Sequence, residues 1–175
     1  METATRSTSF VKDLQCANCK KKYSLLGIQT YAGCCNQPLL ATYQYPSVSK
    51  KILANRPFNM WRYAPFLPVF DEENIVSLGE GWTPIHPLHT LASSLGLKEL
   101  LLKDESVNPT GSFKARGLSV AISKAKELGI THCIIPTAGN AGGALSAYAA
   151  KAGTCPTVVM PKHTPATLKE DGLLN

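Results

Sequence analysis

The sequence predicts an α/β fold, an open and mostly parallel sheet with flanking helices, preceded by a small zinc-ribbon-like N-terminal module. Three observations carry that expectation. From about residue 75 the chain reads strand, helix, strand, helix, strand, which implies parallel strands joined by right-handed crossovers. Gly, Pro and Asn stand at the junctions, where turns need them. Ahead of these, Cys16-Ala17-Asn18-Cys19 has the spacing of one half of a zinc ribbon.

The composition suits a packed globule. Of 175 residues, 44% are hydrophobic and 17% charged, which is enough apolar material for a core. No apolar run is long enough to span a membrane. The stretch Met1 to Gln15 is polar and mixed in charge, without the apolar core of a secretory signal, so a cytoplasmic location is expected. The formal charge is +6. Apart from Lys20-Lys21-Lys22 and Lys50-Lys51, the basic residues are dispersed. Nucleic-acid binding calls for a denser stripe interleaved with aromatics, so no nucleic-acid partner is expected.

Three regions follow in order. Residues 1–45 form the cysteine-bearing module and 46–74 a connecting arm. Residues 75–175 form the α/β region. The arm contains Trp61-Arg62-Tyr63-Ala64-Pro65-Phe66-Leu67-Pro68, whose prolines argue against a long helix. Leu88 to Leu95 reads as a short helix with Gly96 near its end. Leu100-Leu101-Leu102 reads as a short buried strand. The turn Asn108-Pro109-Thr110-Gly111 breaks it. A helix then runs from about Ser112, a plausible N-cap, to Leu128, with Gly129 as its stop. Leu118, Ile122 and Ala125 mark its apolar face, widened by Ala121 and Leu128. Next come strand Cys133-Ile134-Ile135, loop Thr137-Ala138-Gly139-Asn140, and a small-residue helix from about Gly142 to Ala152 closed by Gly153. Strand Thr157 to Met160 ends at Pro161, and a last helical turn runs from Thr164-Pro165 to Asn175. Cys133 and Cys155, beside apolar strands, read as small buried hydrophobes.

Two loops stand out. Lys114 lies just inside a helix start, directly after the Asn-Pro-Thr-Gly turn. The field there disfavours a cation and favours a free amine, which Schiff-base chemistry on a carbonyl cofactor needs. The second loop is Thr137-Ala138-Gly139-Asn140-Ala141-Gly142-Gly143. Its glycines admit a close backbone approach, and the N–H groups of the following helix can receive an anion. Each loop follows a strand and precedes a helix, so both are expected outside the carboxyl ends of one sheet, where such sheets bind ligands.

Together the loops resemble a known family. Asn108-Pro109-Thr110-Gly111-Ser112-Phe113-Lys114-Ala115-Arg116-Gly117 and Thr137-Ala138-Gly139-Asn140-Ala141-Gly142 look like the lysine and asparagine loops of fold-type II pyridoxal-phosphate enzymes. Ser77-Leu78-Gly79-Glu80-Gly81-Trp82-Thr83-Pro84, with Met60-Trp61-Arg62-Tyr63 upstream, narrows the resemblance to the threonine synthases. It extends from about residue 10 to about residue 170. The resemblance implies pyridoxal phosphate as cofactor. It also implies roles: Lys114 holds the cofactor through a Schiff base and shuttles the substrate's protons, and Asn140 hydrogen-bonds the cofactor's ring oxygen. Thr137, Gly139 and Ala141 hold the substrate carboxylate through neighbouring backbone N–H groups. The implied reaction is lyase chemistry on a small amino-acid substrate, converting O-phospho-L-homoserine and water to L-threonine and phosphate. A homodimer is expected of the full-length protein.

The N-terminal cysteines are the third feature. Cys34-Cys35 follows where a second spaced pair would stand in a ribbon. Two adjacent cysteines do not easily present both thiolates to one tetrahedral ion. Cys16, Cys19, Cys34 and Cys35 therefore read either as zinc ligands or as a degenerate ribbon that keeps its fold without metal. His86 and His89 have metal-like spacing, but Pro84 and Pro87 exclude a regular helix holding both. The glycine-rich cradle for the cofactor phosphate is not found in these 175 residues, nor is the side chain that meets the pyridine nitrogen in that family. The resemblance thus implies a truncated form with weak or no cofactor retention. Three alternatives stay open: another fold-type II activity (serine or threonine dehydratase, or cysteine synthase), a non-catalytic paralogue acting as a binding module, and a zinc-ribbon nucleic-acid module.

Overall fold

The computed structural model describes residues 9–44 and 50–174. Residues 1–8 and the end of the last helical turn at Asn175 lie outside the described residues, and the expectations that fall on them go no further.

The N-terminal module is a three-stranded antiparallel sheet of order β2-β1-β3, built from β1 (Val11–Cys16), β2 (Lys22–Tyr23) and β3 (Leu39–Tyr43). Val11 and Cys16 are buried, and Lys22 pairs with Asp13 at 3.2 Å. The arm is short and irregular, as its prolines require. It holds α1 (Lys51–Ala54) and a 3₁₀ stretch, Met60–Phe66, opened by the Asn59 side chain accepting from the Trp61 N–H. It is packed rather than loose: Met60, Trp61, Ala64 and Val69 form a buried cluster. The Phe10 N–H donates to the Pro65 carbonyl at 2.7 Å, tying the module to the arm.

The α/β region holds β4 (Ile85–Pro87), α2 (His89–Ser94), β5 (Leu101–Lys103), α3 (Lys114–Glu127), β6 (His132–Pro136), α4 (Asn140–Ala152), β7 (Cys155–Val159) and α5 (Ala166–Leu174). Strands β6 and β7 are parallel, in register from His132 opposite Cys155 to Pro136 opposite Val159. Helix α4 is their crossover and packs against α3, α5 and both strands. The expected continuation of this sheet to the first strand does not occur. Strand β5 instead pairs antiparallel with β4 in a separate two-stranded ribbon. A three-residue apolar run specifies no partner, and here the ribbon's own hydrogen bonds decide, including Leu88 N–H to the Leu100 carbonyl and Asp104 N–H to the Pro84 carbonyl. The expected burial also fails, since all three β5 residues are exposed.

Helices α3 and α4 enclose the main core of Val76, Ala115, Ile122, Leu145, Tyr148 and Ala149. Trimming Ile122 to Val in such a core costs about 1 kcal/mol. The apolar face expected on α3 is partly wrong. Ala121 is exposed, while Ser119 and Ser123 are fully buried, because both serines hydrogen-bond inward. The Ser123 hydroxyl donates to the Ser119 carbonyl at 2.7 Å and accepts from the Val76 N–H at 2.8 Å. Both helices stop at left-handed glycines, Gly129 (φ +69°) and Gly153 (φ +68°), as expected. Cys155 is exposed and Cys133 half-buried, contrary to the expectation for both. No helix among the described residues is long and apolar enough to cross a membrane.

Candidate active site

The Lys114 turn follows β5 through two 3₁₀ turns, Glu105–Val107 and Pro109–Gly111. Thr110 sits at φ +64° and Gly111 at φ +65°. For a β-branched residue the left-handed region is strained, and it persists only where the surroundings over-determine it. Those surroundings are a polar clamp. Arg116 meets Glu105 through Nε at 2.5 Å and a terminal nitrogen at 2.7 Å. The Thr83 hydroxyl donates to the same carboxylate at 2.7 Å. The Asn108 amide donates to the Glu105 carbonyl and carboxylate, both at 2.9 Å, and its oxygen accepts from the Gly81 N–H at 3.0 Å. The Arg116 guanidinium holds the Glu105 carboxyl down to about 2, well below its ordinary value. The Thr110 hydroxyl oxygen is buried with no hydrogen-bond partner among the described residues.

Lys114 is half-buried at the first position of α3. The Ser112 hydroxyl accepts from the Lys114 N–H at 3.3 Å. The Lys114 Nζ lies over the Phe113 ring, 4.1 Å from its centroid. No carboxylate pairs with that amine among the described residues, and the first turn of α3 carries no acid.

The Asn140 loop is simpler. Thr137 N–H donates to the Val159 carbonyl at 2.9 Å and extends the β6–β7 ladder by one bond. Gly139, extended and with open space beside it, donates its N–H to the Thr137 hydroxyl at 3.2 Å. Asn140 is exposed at the first position of α4, and Ala141 is half-buried. Helix α4 has no side-chain cap and no acid in its first turn, so helix geometry leaves its leading N–H groups available. Gly142 serves packing rather than ligand approach: a Cβ there would lie 3.0 Å from Val158 Cγ1 and 3.1 Å from Met160 Cε.

The two loops do not share one sheet edge, because β5 and β6 belong to different sheets. They are drawn together by helices instead. Helix α3 packs along α4, and the Pro109–Gly111 turn packs against both. Between the helices lies a group the sequence reading assigned no role, Glu80. It is fully buried. Its Oε1 accepts from Trp61 Nε1 at 2.8 Å and from the Ser119 hydroxyl at 2.5 Å. Its Oε2 accepts from the Tyr148 hydroxyl at 2.7 Å, the Leu78 N–H at 2.9 Å and the Ser77 hydroxyl at 3.2 Å. Burial alone would raise this carboxyl's pKa, but the Ser119 and Tyr148 hydroxyls and the Leu78 N–H outweigh it and hold it low. The only sequence cue was the pair of flanking glycines, which take φ +92° and +96°.

In the N-terminal module, the turns after β1 and before β3 gather Cys16, Cys19, Cys34 and Cys35, whose sulfurs all lie within 4.8 Å of one another. Cys16 is buried, and the Cys19 and Cys34 sulfurs are 3.2 Å apart. The Cys34 N–H donates to the Tyr23 hydroxyl at 3.0 Å. Hydrogen bonds from the Tyr23 hydroxyl and the Cys19 thiol lower the Cys34 thiol to about 6. The Lys21 N–H would lower Cys19, but sharing hydrogen bonds with Cys34 and Cys35 pushes it up to about 12. His86 faces Asp104 at 3.8 Å and His89 opens α2, so neither joins a metal cluster among the described residues.

Residues 76–172, which span both loops and Glu80 with its Ser119 and Tyr148 partners, match the family model described as pyridoxal-phosphate dependent enzyme. The chain belongs to that family. Pyridoxal phosphate is accordingly the cofactor of this pyridoxal-phosphate dependent enzyme family member. Over 152 residues it is 40% identical to a threonine synthase of Methanocaldococcus jannaschii, covering 85% of this chain and 37% of that protein. A threonine synthase of Methanosarcina acetivorans is 38% identical over 151 residues, with 85% and 36% covered. One of Halalkalibacterium halodurans is 44% identical over 109 residues, with 59% and 30% covered. The crystal structure of a pyridoxal 5'-phosphate-dependent aspartate racemase aligns with 51% of this chain and 29% of its own, at 29% identity and TM-score 0.47. The chain spans about a third of the length of the curated relatives it matches.

Proposed function

We propose that this chain carries the lysine and asparagine loops of a threonine-synthase-type site, which converts O-phospho-L-homoserine and water to L-threonine and phosphate. The observation that carries the reading is the Lys114 amine: half-buried, without a carboxylate partner among the described residues, at the start of a helix packed along one that begins with Asn140. The residues at hand suit pyridoxal phosphate. They offer an amine, a carboxamide, helix N-termini without acids, and the Thr110 hydroxyl, buried and without a hydrogen-bond partner among the described residues. When bound, the cofactor supplies an electron sink for carbanion chemistry on an amino acid. The protein's own part is binding, orientation and proton transfer. Lys114 Nζ would hold the cofactor through its aldehyde carbon, with loss of water, and would move protons at the substrate's α and β carbons. Asn140 bonds the ring oxygen through its carboxamide. Thr137, Gly139 and Ala141 hold the substrate carboxylate, drawing on backbone N–H groups around the α4 start.

The test is to add pyridoxal phosphate, reduce with borohydride and map the modified lysine by peptide mass spectrometry. Lys114 is expected to take the label ahead of exposed lysines, and Lys114→Ala to lose that peptide without gaining another. Labelling spread evenly over surface lysines would sink the assignment. Turnover of O-phospho-L-homoserine against serine and threonine separates the threonine-synthase reading from the dehydratase one.

For the N-terminal module we propose a structural zinc held by Cys16, Cys19, Cys34 and Cys35. Zinc–sulfur bonds of about 2.3 Å place tetrahedral sulfurs about 3.8 Å apart. A set already within 4.8 Å needs only small shifts to close on an ion.

A further inference from the structure

We infer that Glu80 is a positioning residue: it sets α3 and α4 in register with each other and thereby places Lys114 relative to Asn140. The inference rests on the roles proposed for those two residues. Glu80 touches neither. It acts through the helices that carry them.

The first argument is where its bonds go. Ser119 stands on α3 five residues after Lys114, and Tyr148 stands on α4 eight residues after Asn140. At 1.5 Å of rise per residue these are about 7.5 and about 12 Å along the two axes. One carboxylate therefore joins both helices behind the site, with one oxygen on each. The same oxygens fix the arm through Trp61 and the approach loop through Leu78. That loop is pinned again on α3, by the Val76 N–H on the Ser123 hydroxyl.

The second argument is why the group must be a carboxylate. Hydroxyl donors can turn and accept instead, but N–H donors cannot. Each Glu80 oxygen faces one fixed N–H, the indole of Trp61 at Oε1 and the backbone of Leu78 at Oε2. A glutamine amide, in either orientation, would set its own NH₂ against one of them. The shape of Glu80 is reproduced by Gln while its bonding pattern is not. No lysine or arginine forms an ion pair with Glu80 among the described residues, so the charge is answered by dipoles fixed in direction. A buried anion held this way resists small displacements of any partner.

A purely stabilising role would make Glu80 equivalent to any core residue of similar worth, and this separates the two readings. The probe is pyridoxal phosphate followed by borohydride, applied to the whole chain. The readout is labelling of Lys114 relative to the exposed Lys98 and Lys151, with circular dichroism confirming a folded sample. The wild type is expected to favour Lys114. Glu80→Gln is expected to lose that preference about tenfold through its unmatched N–H. Tyr148→Phe keeps the carboxylate but cuts its tie to α4, and a smaller, several-fold loss is expected. Ile122→Val, which loosens the same core without touching the junction, is expected to keep the wild-type preference. A folded Glu80→Gln that keeps the preference overturns the inference, and so does an Ile122→Val that loses it. If Glu80→Gln does not fold, Tyr148→Phe decides, and an unchanged preference there overturns it. A wild type without preference is a different failure: it sinks the Lys114 assignment itself and takes this inference with it.

Discussion

The molecule contains two polar clusters that differ in one respect. At the Glu80 junction a single anion meets five donors, and every bond closes within the chain. At the cysteine cluster four sulfurs converge with few donors to answer them, and hydrogen bonds lower the Cys34 thiol to about 6. The first arrangement is complete as it stands. The second gathers acceptors of one kind, and the zinc proposed for it would complete it. Counting donors against acceptors thus separates a polar group whose bonds are closed within the fold from one proposed to take a ligand.

The contrast can be broken or sharpened by experiment, beginning with the largest effect. With zinc supplied, the chain is expected to hold one ion, and Cys16→Ser to weaken its binding more than a hundredfold, because a buried thiolate ligand is lost. Metal analysis of the purified chain checks this, and a zinc-free wild type with four freely alkylated thiols would remove the contrast. Next, Glu80→Ala takes the acceptor from the buried Tyr148 hydroxyl and from the Leu78 N–H and leaves the Trp61 indole only the Ser119 hydroxyl at 3.0 Å, which is expected to cost about 3 kcal/mol in urea unfolding. The pH dependence has a definite sign. The folded-state pKa of Glu80 is lowered, so its contribution is present above the unfolded carboxyl value of about 4.3 and is lost as pH falls through the lower folded value. Glu80→Ala should therefore show a shallower acid limb than the wild type. Ser123→Ala leaves the Val76 N–H unpaired at the edge of the same junction, for about 1 kcal/mol. The smallest effect is one of selectivity. With Cys34 lowered to about 6 and Cys19 raised to about 12, metal-free chain at pH 7 should alkylate first at Cys34. Equal rates at both would show that the cluster does not share its protons unevenly.

The sequence revealed loops better than it revealed partners. The Lys114 and Asn140 loops were legible because glycine, proline and asparagine mark turns for stated conformational reasons, and Gly129 and Gly153 stop their helices as read. The pairing of β5 was not legible, since Leu100-Leu101-Leu102 is equally apolar whether its neighbour is β4 or β6. Glu80 was hidden by its type: glutamate in a Gly-rich loop ordinarily faces water. Its donors were hidden too, because Ser119 and Ser123 interrupt the apolar stripe of α3 that should mark a buried face. A polar core is invisible to a pattern that counts only hydrophobic positions. The convergence of the four sulfurs depended on the turns between the strands, where Lys20 and Asn36 take positive φ, and spacing alone does not report such bends.

The chain contains two tryptophans. Trp61 is 3% exposed with its indole nitrogen on the Glu80 carboxylate, and Trp82 is 64% exposed beside Phe58 and the Arg62 guanidinium. Their light emission should therefore separate. Iodide in solution can reach Trp82 and quench it, while the blue-shifted share left behind belongs to Trp61. The molecule carries its own optical gauge of whether the space between its two central helices is intact, readable without any label.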